Sequence, residues 1–352
     1  MNRNKLFNIT MSFFVSVFMC IAEASGISNE GLLSEQAGAF IRYVDASSTN
    51  SVAPYTTKEG ATPNLQEAID VAVDGDIILV APGTYAPITV EKGITIKGET
   101  GNFNDVIIDA NNASRCIQVS HTNAVISSLT VTRGHVPTKG DRQGVGIRLS
   151  NGGIVTNCHI TSCNIKSGPS YSEYTLGGGM YNIDGYVVDC VFDKCSAYNR
   201  GAGVGYAQKG DMAIGERLII TNNTINLQHA WGSQTGAAGA WVGGGILRNS
   251  IIAHNNMGKK GTYPPPVCAT GVRVVKGLLV NCTVYNNHVG DNITEGYAGV
   301  VAEASGYVKN CIIYKNSSSK NTTVANWSGP AANFTNCATT PIKELPDGNI
   351  DI

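Results

Sequence analysis

The chain has 352 residues, with 25 basic and 26 acidic side chains. That balance leaves no global field to draw it to nucleic acid or anionic lipid. Apolar residues make up 42%, charged residues only 14%, and glycine is abundant at 41 residues, which suits a folded protein built from strands and turns rather than long helices.

In chain order, residues 1–24 read as an export signal. Arg3 and Lys5 precede an apolar run from Ile9 to Ile21, and Ala22-Glu23-Ala24 is a small-x-small cleavage pattern. The run is short and broken by Thr10, Ser12 and Ser16, so a spanning helix is not expected. The mature chain is therefore expected outside the cytoplasm, extracellular, on the outer cell surface or in the periplasm, with no membrane span. Ten cysteines raise the question of disulfides in an exported protein.

A linker over 25–42 leads into the folded part. Thr62 and Pro63 fit the N-cap and first position of a helix over about 62–73, and Leu65, Ala68, Ile69 and Ala72 line one apolar stripe of it. Closely spaced strands are expected within 75–85, 88–99, 105–110, 115–120 and 124–134.

From residue 144 the chain repeats itself. Aligned on the residue after an Asn-like position, one column reads Cys158, Cys190, Leu218, Ser250, Cys282, Cys311 and Cys337, at steps of 32, 28, 32, 32, 29 and 26 residues. Two positions on stand Ile160, Phe192, Ile220, Ile252, Val284, Ile313 and Thr339, on the same side of a strand. Five positions after the first column come Cys163, Cys195, Asn223, Asn255, Asn287 and Asn316. A small-x-Gly motif followed by an apolar-x-apolar strand opens the rungs at 144–149, 177–182, 201–206, 237–242, 269–274 and 297–302.

Short strands at this period stack on the next repeat as a parallel coil. Asparagines at one turn then form a hydrogen-bonded ladder, and Cys and Ser fill a tight interior row. If any pair were bridged, Cys163 and Cys195 on adjacent rungs are the candidates. The coil is expected over 43–342, capped by the helix at its open end. The tail 343–352 shows no cap or anchor, which suggests a truncated chain end.

If its neighbours point inward, the x position of the glycine-led strand points outward. That row reads Arg148, Tyr181, Gly205, Trp241, Arg273 and Val301. Aromatic faces stack on sugars and arginine forks a carboxylate, so Arg148, Tyr181, Trp241 and Arg273 are the candidate polysaccharide contacts. Tyr174 and Trp231, on the long loops that should pile along one wall, join them. The same row equally suits a structural ladder of shielded rings. Catalysis would need a cation and a base, for which Arg273, Lys276 and Glu295 are the candidates. Asp184, Asp189 and Asp193 are the nearest grouping of acids. No metal site and no cofactor is evident from the spacing of His, Cys, Asp and Glu.

Residues 64–85, NLQEAIDVAVDGDIILVAPGTY, resemble the opening signature of the pectate-lyase-like right-handed parallel β-helix superfamily: a capping helix, Gly-Asp, an apolar strand, then Pro-Gly-Thr-Tyr. The later repeats are similar to those of bacterial β-helix surface proteins. The resemblance covers roughly 43–340. It implies an all-β right-handed parallel β-helix, but this fold hosts lyases, hydrolases, esterases and adhesins. The expected function is polysaccharide contact by an exported monomer. The alternatives are a polysaccharide lyase, with Ca2+ if so, or a hydrolase, and a structural surface protein without ligand.

Overall fold

A computed structural model describes residues 39–136, 142–165, 175–198, 200–207, 212–225, 236–258, 269–290, 299–318, 326–342 and 345–352. It is a parallel β-solenoid whose rungs contribute strands to three long stacks. The glycine stack includes Ile117–Val119, Ile147–Leu149, Met180–Asn182, Val204–Tyr206 and Ala240–Val242. The middle stack includes Ile154–Thr156, Tyr186–Val188, Ile214–Glu216 and Ile246–Arg248. The isoleucine stack includes His159–Thr161, Val191–Asp193, Ile219–Thr221, Ile251–Ala253, Thr283–Tyr285 and Ile312–Tyr314. In the later rungs Val272–Val280 and Val300–Lys309 run through the corner unbroken and join the first two stacks.

The period-2 pattern decides what is inside. Glycine-stack strands turn both end residues inward, as with the fully buried Ile147 and Leu149, whereas middle- and isoleucine-stack strands turn their central residue inward, as with Val155 and Ile160. The two aligned columns are buried as the repeats required: Cys158, Cys190, Leu218, Ser250, Cys282, Cys311 and Cys337 are all at most 3% exposed.

Both corners flanking the isoleucine stack are left-handed. Asn157, Asp189, Arg217, Asn249, Asn281, Asn310 and Asn336 have φ between 49° and 54°. After the strand, Ser162, Lys194, Asn222, His254, Asn286 and Lys315 have φ between 50° and 57°. Asparagine tolerates this region better than most residues, which is the physical reason Asn precedes the Cys column.

The asparagine ladder is complete. The Nδ2 of Asn223, Asn255 and Asn287 donates to the Oδ1 of Asn255, Asn287 and Asn316 at 3.0, 2.9 and 2.9 Å. Each of those Oδ1 atoms also accepts the backbone N–H of the preceding rung, and each Nδ2 donates to a strand carbonyl such as Phe192 O, Ile220 O and Ile252 O. Asn326 ends the file, accepting from Asn316 Nδ2 at 3.1 Å and donating to Thr340 O at 2.9 Å.

The glycine motif faces this ladder across a thin interior. A Cβ placed on Gly203, Gly239 or Gly271 would stand 3.0, 3.0 or 3.2 Å from the Nδ2 of Asn223, Asn255 or Asn287. On Gly146 and Gly179 it would meet the sulfurs of Cys163 and Cys195 at 3.0 and 3.2 Å.

The helix is Leu65–Val71, and Leu65, Ala68 and Ile69 are its buried face. Its N-cap is Asn64, whose side chain accepts from Gln66 N, rather than Thr62. The Thr62 hydroxyl instead accepts the Asn64 N–H and donates to Glu67 Oε2 at 2.8 Å. Buried Asp76 ties the first rung by accepting from Phe40 N, Val73 N and Arg42 Nε at 2.8, 3.0 and 2.8 Å. At the other end Ile350 forms a parallel bridge with Ala338, and Asn349 Oδ1 accepts the Cys337 N–H at 2.8 Å.

Cys163 and Cys195 are free thiols, not a disulfide, as are all eight cysteines among the described residues. Each thiol turns to carbonyls: Cys163 donates to Thr161 O at 3.4 Å and Cys195 to Asp193 O at 3.3 Å. Burial pushes the thiols of Cys190 and Cys195 well up, so both are held as unreactive S–H. With Cys20 and Cys268 replaced by serine, an aromatic disulfide reagent is expected to find no reactive thiol in the native protein and eight after denaturation without reductant. Fewer than eight would show that a pair is bridged.

Candidate functional site

The outward file of the glycine stack is assembled in the expected register: Arg148 beside Tyr181, Tyr181 beside Gly205, Gly205 beside Trp241, Trp241 beside Arg273, and Arg273 beside Val301. Its exposure departs from expectation. Tyr181 is 9%, Trp241 2% and Arg273 7% exposed. Tyr181, Trp241 and Val301 belong to a second small apolar cluster with Leu176, Ala207, Ala237 and Ala269, lying outside the coil. The covering residues come from the ends of neighbouring segments, which strand periodicity does not report.

The rings therefore serve as platforms for arginines. The Arg148 guanidinium lies 5.8 Å from the Tyr181 ring centre, and that of Arg200 lies 4.5 Å from Trp241. Both are cation–π distances, and such contacts strengthen as water is excluded. Arg273 is engaged by Glu303, with Nε donating to Oε1 at 2.8 Å.

Arg115, half-buried at the start of this file, was not singled out by pattern because it precedes the strand Ile117–Val119 instead of lying within it. Its Nε donates to Gly144 O at 2.9 Å, and its two terminal nitrogens donate to Gln118 Oε1 and Gln143 O at 3.0 Å each. Gln118 is the neighbour of Arg148 in the sheet and donates to Ser150 Oγ at 3.0 Å. Burial, with the Arg148 charge beside it, pushes the Arg115 guanidinium down to about 10. Burial lowers Arg148 as well. Arg200, likewise missed, sits one residue before a glycine motif and pairs in the sheet with Leu176.

Of the three catalytic candidates, two are among the described residues. Arg273 is held by Glu303, Lys276 is exposed beyond a register shift between Val274 and Lys276, and Glu295 lies outside the described residues. Tyr174 and Trp231 also lie outside them. The three aspartates separate: Asp184 is exposed at a left-handed corner, Asp189 pairs with Arg217 at 2.7 Å, and Asp193 accepts from His159 Nε2 at 3.1 Å. Among the described residues, no group of three or more His, Cys, Asp or Glu could hold a metal ion. Nor is any helix among them long and apolar enough to cross a membrane.

No protein-family model and no curated protein matches the sequence. Solved structures do resemble it in backbone course. Pectate lyase Pel9A is 13% identical, with 84% of this chain and 80% of that chain covered at a TM-score of 0.48. Pectin methylesterase PemA from Erwinia chrysanthemi is 12% identical, with 88% and 98% covered at 0.43. The pectin methylesterase from Aspergillus niger is 12% identical, with 92% and 93% covered at 0.38.

Proposed function

We propose that the chain is an exported or cell-surface module that contacts an acidic polysaccharide through Arg115, Arg148 and Arg200 on the outer face of the glycine stack. The observation that carries this reading is the crowding of Arg115 against Arg148. Arg115 donates to Gln118, the sheet neighbour of Arg148, and the Arg148 charge beside it adds to burial in disfavouring the Arg115 guanidinium. An arriving carboxylate or sulfate offsets that concentration of positive charge. The rings of Tyr181 and Trp241 fix the planes of Arg148 and Arg200, so less side-chain freedom is lost on binding. Binding is favoured over catalysis here because the carboxylate joined to this file, Glu303, is engaged by Arg273 and is not poised as a base.

The test is equilibrium binding to polygalacturonate fragments and to a neutral polymer. Arg115→Ala and Arg148→Ala are each expected to weaken the acidic ligand about tenfold, which is about 1.4 kcal/mol, and to flatten the salt dependence. Unfolding midpoints should stay near that of the parent chain. Unchanged affinity in both variants, or equal affinity for the neutral polymer, would remove this face as the site. Release of unsaturated product from the polymer would replace the binding reading with a lyase.

A further inference from the structure

We propose, resting on the role of Arg115 and Arg148 as polyanion contacts, that Gln118 sets the specificity of that face. Its uncharged amide holds Arg115 in place without neutralising it, so the positive charge stays available to an acidic polymer.

Gln118 is the central, outward residue of Ile117–Val119 and lies in register between Thr89 and Arg148. Its amide has one orientation open to it. Ser150 Oγ gives its single hydrogen to Val119 O at 3.0 Å, so it accepts from Gln118 Nε2, also at 3.0 Å. The Oε1 atom is thereby turned to Arg115 Nη1, from which it accepts at 3.0 Å. Arg115 also donates to Gly144 O and Gln143 O. These three acceptors are neutral oxygens, which orient the guanidinium and leave its full charge in place.

Elsewhere on the coil, arginines meet carboxylates on the neighbouring rung. Arg217 pairs with Asp189, Arg248 with Glu216 and Arg273 with Glu303. Those carboxylates hold the Arg217 and Arg248 guanidiniums above their ordinary range, whereas burial pushes Arg115 and Arg148 below it. An arginine already joined to a carboxylate of the fold gains little from an incoming one, because the internal acid competes for the same charge. Gln118 occupies the position from which an acid would compete in this way. Glutamate has nearly the shape of glutamine, and Ser150 Oγ can turn its hydrogen from Val119 O to the second carboxylate oxygen. The exchange therefore alters charge and little else.

The experiment is equilibrium binding of the full chain to polygalacturonate fragments over a range of salt, comparing Gln118→Glu with Gln118→Leu. Gln118→Glu is expected to bind at least about tenfold more weakly, with a shallower salt dependence and an unfolding midpoint at or above that of the parent chain. Gln118→Leu, which releases one bond of Arg115 but adds no charge, is expected to lose less than about threefold and to keep the parent's salt dependence. A purely structural glutamine would lower the midpoint in both variants and leave the salt dependence alone, which would overturn the proposal. Equal losses of affinity in the two variants would also overturn it. Full affinity in Gln118→Glu, with the parent chain binding, would remove the role of Gln118 alone. A parent chain that does not bind polygalacturonate would remove that role and the acidic-polymer reading together.

Discussion

Replacing Gly239 with leucine is expected to destabilise the coil by at least about 3 kcal/mol, read as a large fall in the urea midpoint. The first atom of any side chain there meets Gly271 O at 2.5 Å, Ile252 Cγ2 at 2.7 Å and Asn255 Nδ2 at 3.0 Å. Two of these contacts are to backbone or a branched core side chain, neither of which moves without disturbing a neighbouring rung. The effect is steric and does not depend on an unusual backbone angle. Gly239→Ala should show the same sign at reduced size. A leucine variant with the parent midpoint would mean that the interior is wider than described and that the glycine file is not needed to admit the ladder.

Asn255→Ala is expected to cost about 4 kcal/mol. Removing the amide leaves the backbone and side-chain donors of Asn223 without their shared acceptor. Ile220 O loses a donor, and Asn287 Oδ1 loses one of two. All of these groups are buried, so water does not replace the lost bonds at no cost. Asn255→Cys is expected to cost about half as much, because a thiol already occupies this column at Cys163 and Cys195 and donates to strand carbonyls there. Equilibrium unfolding of both variants checks the order. If alanine and cysteine proved equal and mild, the ladder would be ornamental to stability.

The coil was readable because stacking repeats the same local problem on every rung. A left-handed corner calls for Asn, a narrow interior for Gly, and the column between them for Cys or Ser; each recurs at one step. What lay outside that recurrence was not readable. The shielding of Trp241 and Tyr181 depends on Leu176, Ala207, Ala237 and Ala269, which lie just outside the three-residue strands whose inward–outward alternation the sequence shows. Asn326 closes the ladder only ten residues after Asn316, off the repeat length. The cap shifted from Thr62 to Asn64 because Thr62 is drawn to Glu67. Arg200 was missed because it precedes its glycine motif, and Arg115 because its rung carries no such motif. The candidate site was therefore legible as a file of residue types, but not as a set of accessible groups.

From Asn223 to Asn326 every side-chain amide hands its hydrogen to the following rung and none hands it back. The dipoles of this internal row consequently add along the axis instead of cancelling, giving the solenoid an electrical polarity that its backbone, with strand dipoles lying across that axis, lacks. Aligned dipoles also polarise one another, so two simultaneous losses within the row cost something other than the sum of each alone.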